Sequence, residues 1–194
     1  MVSAIDAQIA QLWLVESFVN SLDVSSGQDD LTDTDRFARW LKDHGRAVTR
    51  VSDADLTHAR RLRSQLRQVL IGHHDGDHER LDPDALNELT RALEVKVEFD
   101  AAGNGFFRAA GEGIESVLAE IVVKVAEASA GDGWRRLKLC AADDCFTAYF
   151  DSSKNCSRRW CSMQVCGNRY KTRSYYSRRT AKPAETDTSA APHT

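Results

Sequence analysis

Five cysteines are the most concentrated chemistry in this 194-residue chain: Cys140, Cys145, Cys156, Cys161 and Cys166, all within one short block and none elsewhere. Four residues separate Cys140 from Cys145, Cys156 from Cys161, and Cys161 from Cys166. Thiolates are soft ligands. A structural Zn²⁺ takes four of them in a tetrahedron at about 2.3 Å, commonly as two close pairs from separate turns. Spacing admits two solutions, Cys140/Cys145 with Cys161/Cys166 or Cys140/Cys145 with Cys156/Cys161. The N-terminus, MVSAIDAQIA, has no basic leader of the secretory kind, so a cytoplasmic location is expected. There thiols stay reduced, and the cluster reads as metal ligands rather than disulfides. Zinc closed by four thiolates keeps no open position, which argues against metal hydrolysis.

The cysteine block is also where positive charge collects. The formal net charge of the whole chain is −3. Residues 1–133 hold 14 Lys/Arg against 24 Asp/Glu, residues 134–180 hold 11 against 3, and residues 181–194 hold one against two. A near-neutral total therefore conceals an acidic body and a basic module, an asymmetry that points to an anionic partner for the module. Beyond the last cysteine, a helix is expected over 168–179. It interleaves Arg169, Lys171, Arg173, Arg178 and Arg179 with Tyr170, Tyr175 and Tyr176. At 100° per residue, Arg169, Arg173 and Tyr176 share one face, and Lys171, Tyr175 and Arg178 another. One face can pack on the finger while the other follows a phosphate backbone, releasing counterions as it binds. With Arg158 and Arg159, these residues form the candidate nucleic-acid surface. Arg158, Arg159 and Arg169 would also offset the charge of four thiolates. DNA is the partner expected; RNA and an acidic protein surface are the other anionic partners such a surface admits.

Arg159-Trp160-Cys161-Ser162-Met163, followed by Cys166-Gly167-Asn168-Arg169, resembles the CGNR zinc finger, as do the preceding Cys-x4-Cys pair and Phe150-Asp151-x-Ser153. Phe18-Val19-Asn20-Ser21, Trp40-Leu41, Leu62-Arg63 and Leu86-Asn87 resemble the ABATE domain that precedes this finger, a stress-induced transcription regulator family. The likeness covers about residues 10–180. Ser17 stands where that family often has Asp. The resemblance implies Cys140, Cys145, Cys161 and Cys166 as the zinc ligands, leaves Cys156 as the odd thiol, and implies a DNA-binding transcription regulator. Gly167 is expected to permit a tight turn after the last ligand. A protein-interaction module with a purely structural zinc clip and a thiol-based redox sensor using Cys156 are the alternatives.

The elements that must position this module read as mainly α, with a small β-hairpin. Helices are expected over 4–22, over Thr34–His44 with Gly45 as the C-terminal cap, from the capping box at Ser52 to Gly72, and after Asp82-Pro83. Another runs through Ile114, Val117, Leu118, Ile121, Val122 and Val125. Alternation in Val95, Val97 and Phe99, then Gly103-Asn104-Gly105 and Phe106-Phe107, reads as the hairpin. The expected organisation is an acidic helical domain over 1–133, a zinc finger with its basic helix over 134–180, and a disordered tail over 181–194. Chelation is then expected to unfold 134–180 and leave the body helical.

Other constellations carry less. Trp13, Phe18, Phe37 and Trp40 read as core, though a helical body can enclose a ligand pocket. His73, His74, Asp75, Asp77 and His78 read as a polar exposed loop. Asp29, Asp30, Asp33 and Asp35 read as helix-capping residues. No Gly-x-Ser-x-Gly, phosphate loop or His-Glu-x-x-His occurs, so no enzymatic role is expected. No apolar run is long enough to span a membrane.

Overall fold

The computed structural model describes residues 3–74 and 82–180, the side chains of 178–180 excepted. The tail expected to be disordered and Asp75, Asp77 and His78 lie outside the described residues. In chain order the elements are helix α1 (Ala4–Val19), strands β1 (Leu22–Asp23) and β2 (Gln28–Asp29), and helices α2 (Thr34–Asp43), α3 (Asp53–Gly72) and α4 (Pro83–Thr90). Strands β3 (Val95–Phe99) and β4 (Gly105–Ala109) follow, then helices α5 (Gly113–Ser129) and α6 (Gly133–Arg136), strands β5 (Leu137–Leu139) and β6 (Ala148–Phe150), a π-helical turn over Met163–Gly167, and helix α7 (Asn168–Thr180). The strands form three antiparallel pairs, β1–β2, β3–β4 and β5–β6. The architecture is mainly α with small hairpins, as the sequence indicates. No helix among the described residues is long and apolar enough to cross a membrane.

Local chemistry sets the helix ends. Ser3 and Ser52 form capping boxes with Asp6 and Asp55. Asp82 caps the Pro-led α4. Gly45 adopts φ 71° beyond α2, where Arg46 N–H returns to the Leu41 carbonyl at 2.8 Å. Helix α1 stops at Val19, short of the expected residue 22, because Ser21 turns back: its hydroxyl donates to the Phe18 carbonyl at 2.7 Å, and Leu22 then pairs with Asp29.

Phe18, Leu12, Leu62, Leu66, Leu118 and Ile121 are fully or almost fully buried where α1, α3 and α5 meet. Each such side chain stabilises by roughly 1.5–3 kcal/mol on leaving water. Two expectations change here. Trp13 is 50% exposed, not core. Asp29 does not cap a helix; both carboxylate oxygens accept from Arg63, at 2.6 and 2.9 Å. Burial alone would raise the Asp29 pKa, but the Arg63 hydrogen bonds outweigh it and hold the carboxyl below its ordinary value. Asp33 does cap, accepting from Arg36 N–H at 2.8 Å.

The body core extends into the cysteine block. Leu137, Leu139, Ala148 and Phe150 of β5–β6 belong to the same buried cluster as α1, α3 and α5. The Asn20 carboxamide pairs with Ala148 like a neighbouring strand, donating to its carbonyl at 3.0 Å and accepting from its N–H at 2.7 Å. On the β5 side, His73 Nδ1 lies 2.7 Å from the Leu137 carbonyl, and His74 Nε2 hydrogen-bonds with the Leu139 carbonyl. These two histidines, expected in an exposed loop, are half-buried and satisfy strand carbonyls that β6 does not reach.

Candidate metal centre and basic helix

The first pair of thiols sits at the end of a hairpin. Cys140 follows β5, and its N–H donates to the Thr147 carbonyl at 2.8 Å; Cys145 N–H donates to the Ala142 carbonyl at 3.0 Å. The chain leaves this knuckle through Phe146 at φ 54° and enters β6. Of the second pair, Cys161 precedes the π-helical turn and Cys166 lies inside it. Ser162 caps it from Val165 N–H, and Gly167 N–H reaches the Ser162 carbonyl at 3.0 Å. Cys166 lies within the turn and α7 begins two residues later. Ala141 N–H donates to the Arg159 carbonyl at 2.9 Å, joining the two knuckles.

The sulfurs of Cys140, Cys145, Cys161 and Cys166 all lie within 4.8 Å of one another. Cys145 and Cys161 are 3.7 Å apart, and Cys161 and Cys166 are 3.8 Å apart. A tetrahedron with metal–sulfur bonds of 2.3 Å has edges of about 3.8 Å, so the four thiols fit such a cation. Burial pushes the Cys140 and Cys161 thiols up. Cys145 is held below the ordinary thiol value, because hydrogen bonds from Thr147 outweigh its burial. Burial favours the neutral thiol, so the four sulfurs would ionise together only around a bound cation. Cys156 stands apart, with φ 49° and its thiol 3.7 Å from the Arg135 carbonyl.

Second contacts hold the centre. Arg169 donates to the Cys166 sulfur at 3.3 Å. Arg158 donates to the Cys161 carbonyl at 2.7 Å and lies 5.0 Å over the Tyr149 ring. Gly167 has no positive φ; the expected reason for this glycine gives way to another. A Cβ there would stand 2.5 Å from the Met163 sulfur.

Beneath the knuckles lies an ion pair that sequence reasoning missed. Lys138 Nζ is 2.9 Å from Asp151, with side chains 2% and 0% exposed. Burial would raise the Asp151 pKa, but donation from Ser153, Lys138 and the Arg158 N–H brings it down to about 2. The Asp151-x-Ser153 spacing, an Asp bonding its own chain two residues on, was the available signal.

The structure brings one side of α7 onto the first knuckle. Asp144 lies 3.2 Å from Arg169 and 2.9 Å from Arg173. Trp160 packs against Tyr170 at 5.4 Å. Lys171 is exposed and in no ion pair among the described residues, and Arg159 is exposed at the second knuckle. Tyr175 and Tyr176 are 53% and 60% exposed. The side chains of Arg178 and Arg179 lie outside the described set.

Residues 13–132 match the model of the ABATE family, described as "putative stress-induced transcription regulator". The chain belongs to the ABATE family. Residues 136–179 match the CGNR zinc finger. No curated protein matches the chain. In this ABATE chain the Cys-Gly-Asn-Arg run is Cys166 to Arg169, and three of its members have visible work. Cys166 supplies a sulfur to the cluster, Arg169 donates to that sulfur, and Asn168 donates to the Gln164 carbonyl at 3.1 Å across the turn.

Proposed function

We propose that the chain is a DNA-binding transcription regulator. Zn²⁺ on Cys140, Cys145, Cys161 and Cys166 holds α7 against the first knuckle, and the acidic body acts as sensor or assembly module. The metal, when bound, supplies the cross-link between the two knuckles; the remaining work belongs to side chains. The observation that carries this reading is the two-sided character of α7. Asp144 fixes the Arg169/Arg173 side, which leaves Lys171 and Tyr175 facing away from that contact. Arg178 shares their helical face by position. Arg159 joins this surface from the second knuckle, while Arg158, Arg169 and Arg173 serve mainly to hold it. Lysine and arginine on phosphates give affinity and salt dependence, and exposed tyrosines give stacking or sugar contacts. Reduced thiols at the centre suit a cytoplasmic location.

Gel-shift titration of the zinc-loaded chain with random-sequence duplex at graded salt tests the reading. Affinity is expected to fall as a power of the salt concentration. Lys171→Gln should weaken binding on every sequence and reduce the log–log slope by about one. Absence of a shift at low salt would end the DNA reading and leave the finger as a structural clip.

A further inference from the structure

Beside Asn20, α1, α2 and the β2 segment line an open cleft of about 730 Å³. Small-molecule sites fall in the range of roughly 300–1,000 Å³. One wall is aromatic. His44 stacks on Trp40 at 4.0 Å, Trp13 lies 5.3 Å from His44, and the Trp13 indole leaves half its surface in solvent. The rest is charged in both senses. Arg36, Arg39 and Asp43 come from α2, Glu16 from α1, and Asp30 from the turn after β2. None of these five side chains forms an ion pair or side-chain hydrogen bond among the described residues, although all line one cleft.

That arrangement is selective. A polyphosphate or nucleotide meets three carboxylates, and a simple organic cation meets two guanidinium groups. A molecule carrying both charges beside a flat ring offers a partner to each kind of group. Glu16 strengthens the point: its half-buried carboxyl has no partner among the described residues, and burial pushes its pKa up, a cost that a neighbouring ammonium would remove. We propose that this cleft binds a small aromatic zwitterion of the amino-acid class, with the carboxylate on Arg36 and Arg39, the ammonium facing Glu16 and its acidic neighbours, and the ring on Trp13. Asn20 lines the same cleft while its carboxamide holds Ala148 of β6, so the site adjoins the finger's own support. The proposal deepens the sensor part of the function above and rests on that reading for its purpose, whereas its test needs no DNA.

The experiment is isothermal titration of the full zinc-loaded chain with L-tryptophan, L-phenylalanine, indole-3-acetate and tryptamine. The two amino acids are expected to bind. Indole-3-acetate and tryptamine, each lacking one charge, should bind at least about tenfold more weakly, the loss of one charge-assisted hydrogen bond. Trp13→Ala and the Arg36→Gln/Arg39→Gln pair lie on exposed side chains. They should abolish binding while circular dichroism and thermal midpoint stay at wild-type values. No heat with either amino acid, equal affinity for either one-charge analogue, or unchanged binding in the cleft variants would each overturn the proposal. A chain that shifts DNA but binds none of the four probes would retain the proposed function and lose this site. A chain that binds the amino acids without shifting DNA would do the reverse.

Discussion

At the scale of single residues, the finger depends on two side chains that never touch a sulfur. Asp151 is enclosed, and its carboxylate is satisfied by Lys138, by Ser153 and by the Arg158 N–H. Removing either partner of a buried pair strands the other, but the two losses differ here. Asp151→Ala leaves the Lys138 ammonium with the Cys156 carbonyl at 2.6 Å and a long contact to the Arg158 carbonyl, at a cost of about 3–5 kcal/mol. Lys138→Met leaves a carboxylate with its other donors and should cost visibly less by denaturant titration. Equal losses would contradict this division. The pH dependence follows in sign. A carboxyl depressed to about 2 stabilises the fold above its ordinary value of 3.8, and that contribution disappears as pH falls through the window between them. The stability difference between wild type and Asp151→Asn should narrow over that window, since other titrations cancel in the difference. A constant gap counts against the assignment. Gly167 offers a second case. Gly167→Ala brings a Cβ to 2.5 Å from the Met163 sulfur and should cost no more than the displaced Met163 rotamer does, about 0.5–1.5 kcal/mol. Because Met163 is 47% exposed, Met163→Ala in the same chain should recover most of that loss; additive losses in the double variant would place the strain elsewhere.

At the scale of elements, the β5–β6 hairpin belongs to two neighbourhoods. Its apolar side chains lie in the body core, and its turn carries Cys140 and Cys145. Asn20 is the polar join. Asn20→Ala removes both hydrogen bonds and leaves two backbone groups of Ala148 unsatisfied, which should cost about 2–4 kcal/mol. The loss should appear as faster metal release to a competing chelator, since the hairpin presents half of the ligand set. Release at the wild-type rate would show that the hairpin holds its shape without Asn20. The elements themselves were legible from the sequence because their signals are local: the capping box at Ser52, Asp82-Pro83, Gly45, and the alternation in β3. The thiol spacing was legible in the same way, although spacing alone left Cys156 in contention; the resemblance to the CGNR finger set it aside, and the fold keeps its thiol apart from the other four. What could not be read was long-range. Asn20 is 128 positions from Ala148, and His73 is 64 from Leu137. A polar residue inside an apolar pattern gives no sign of which distant backbone group it will satisfy. Trp13 failed for a related reason: helical periodicity marks a hydrophobic face without showing whether a neighbour covers all of it.

At the scale of the molecule, charge and packing divide the chain differently. Charge changes sign near residue 134, with the acidic body before it and the basic block after it. Packing does not break there, because Leu137, Leu139, Ala148 and Phe150 lie in the body core. The second knuckle and α7 have no such anchorage. Cys140, Ala142, Cys145, Tyr149 and Cys166 make a separate small cluster with Trp160 and Cys161 packed against it. Seven residues cannot stabilise a fold without the metal, given what small cores contribute. Chelation is therefore expected to release part of the basic block rather than all of 134–180. Hydrogen exchange after metal removal should rise across 156–180, where the knuckle and α7 lose their cross-link, and remain slow across 137–150, where β5 and β6 stay in the core. Helicity should fall by about the share that α7 contributes. Exchange rising equally over 137–150 would show that the whole basic block folds as one metal-dependent unit, and a collapse of total helicity would show that body and finger fold together. The division matters for function, because a body that retains β5–β6 keeps Cys140 and Cys145 in place as half of a preformed site. Metal return would then order α7 on a surface already carrying Asp144, and the basic helix would be presented only in the metal-loaded chain.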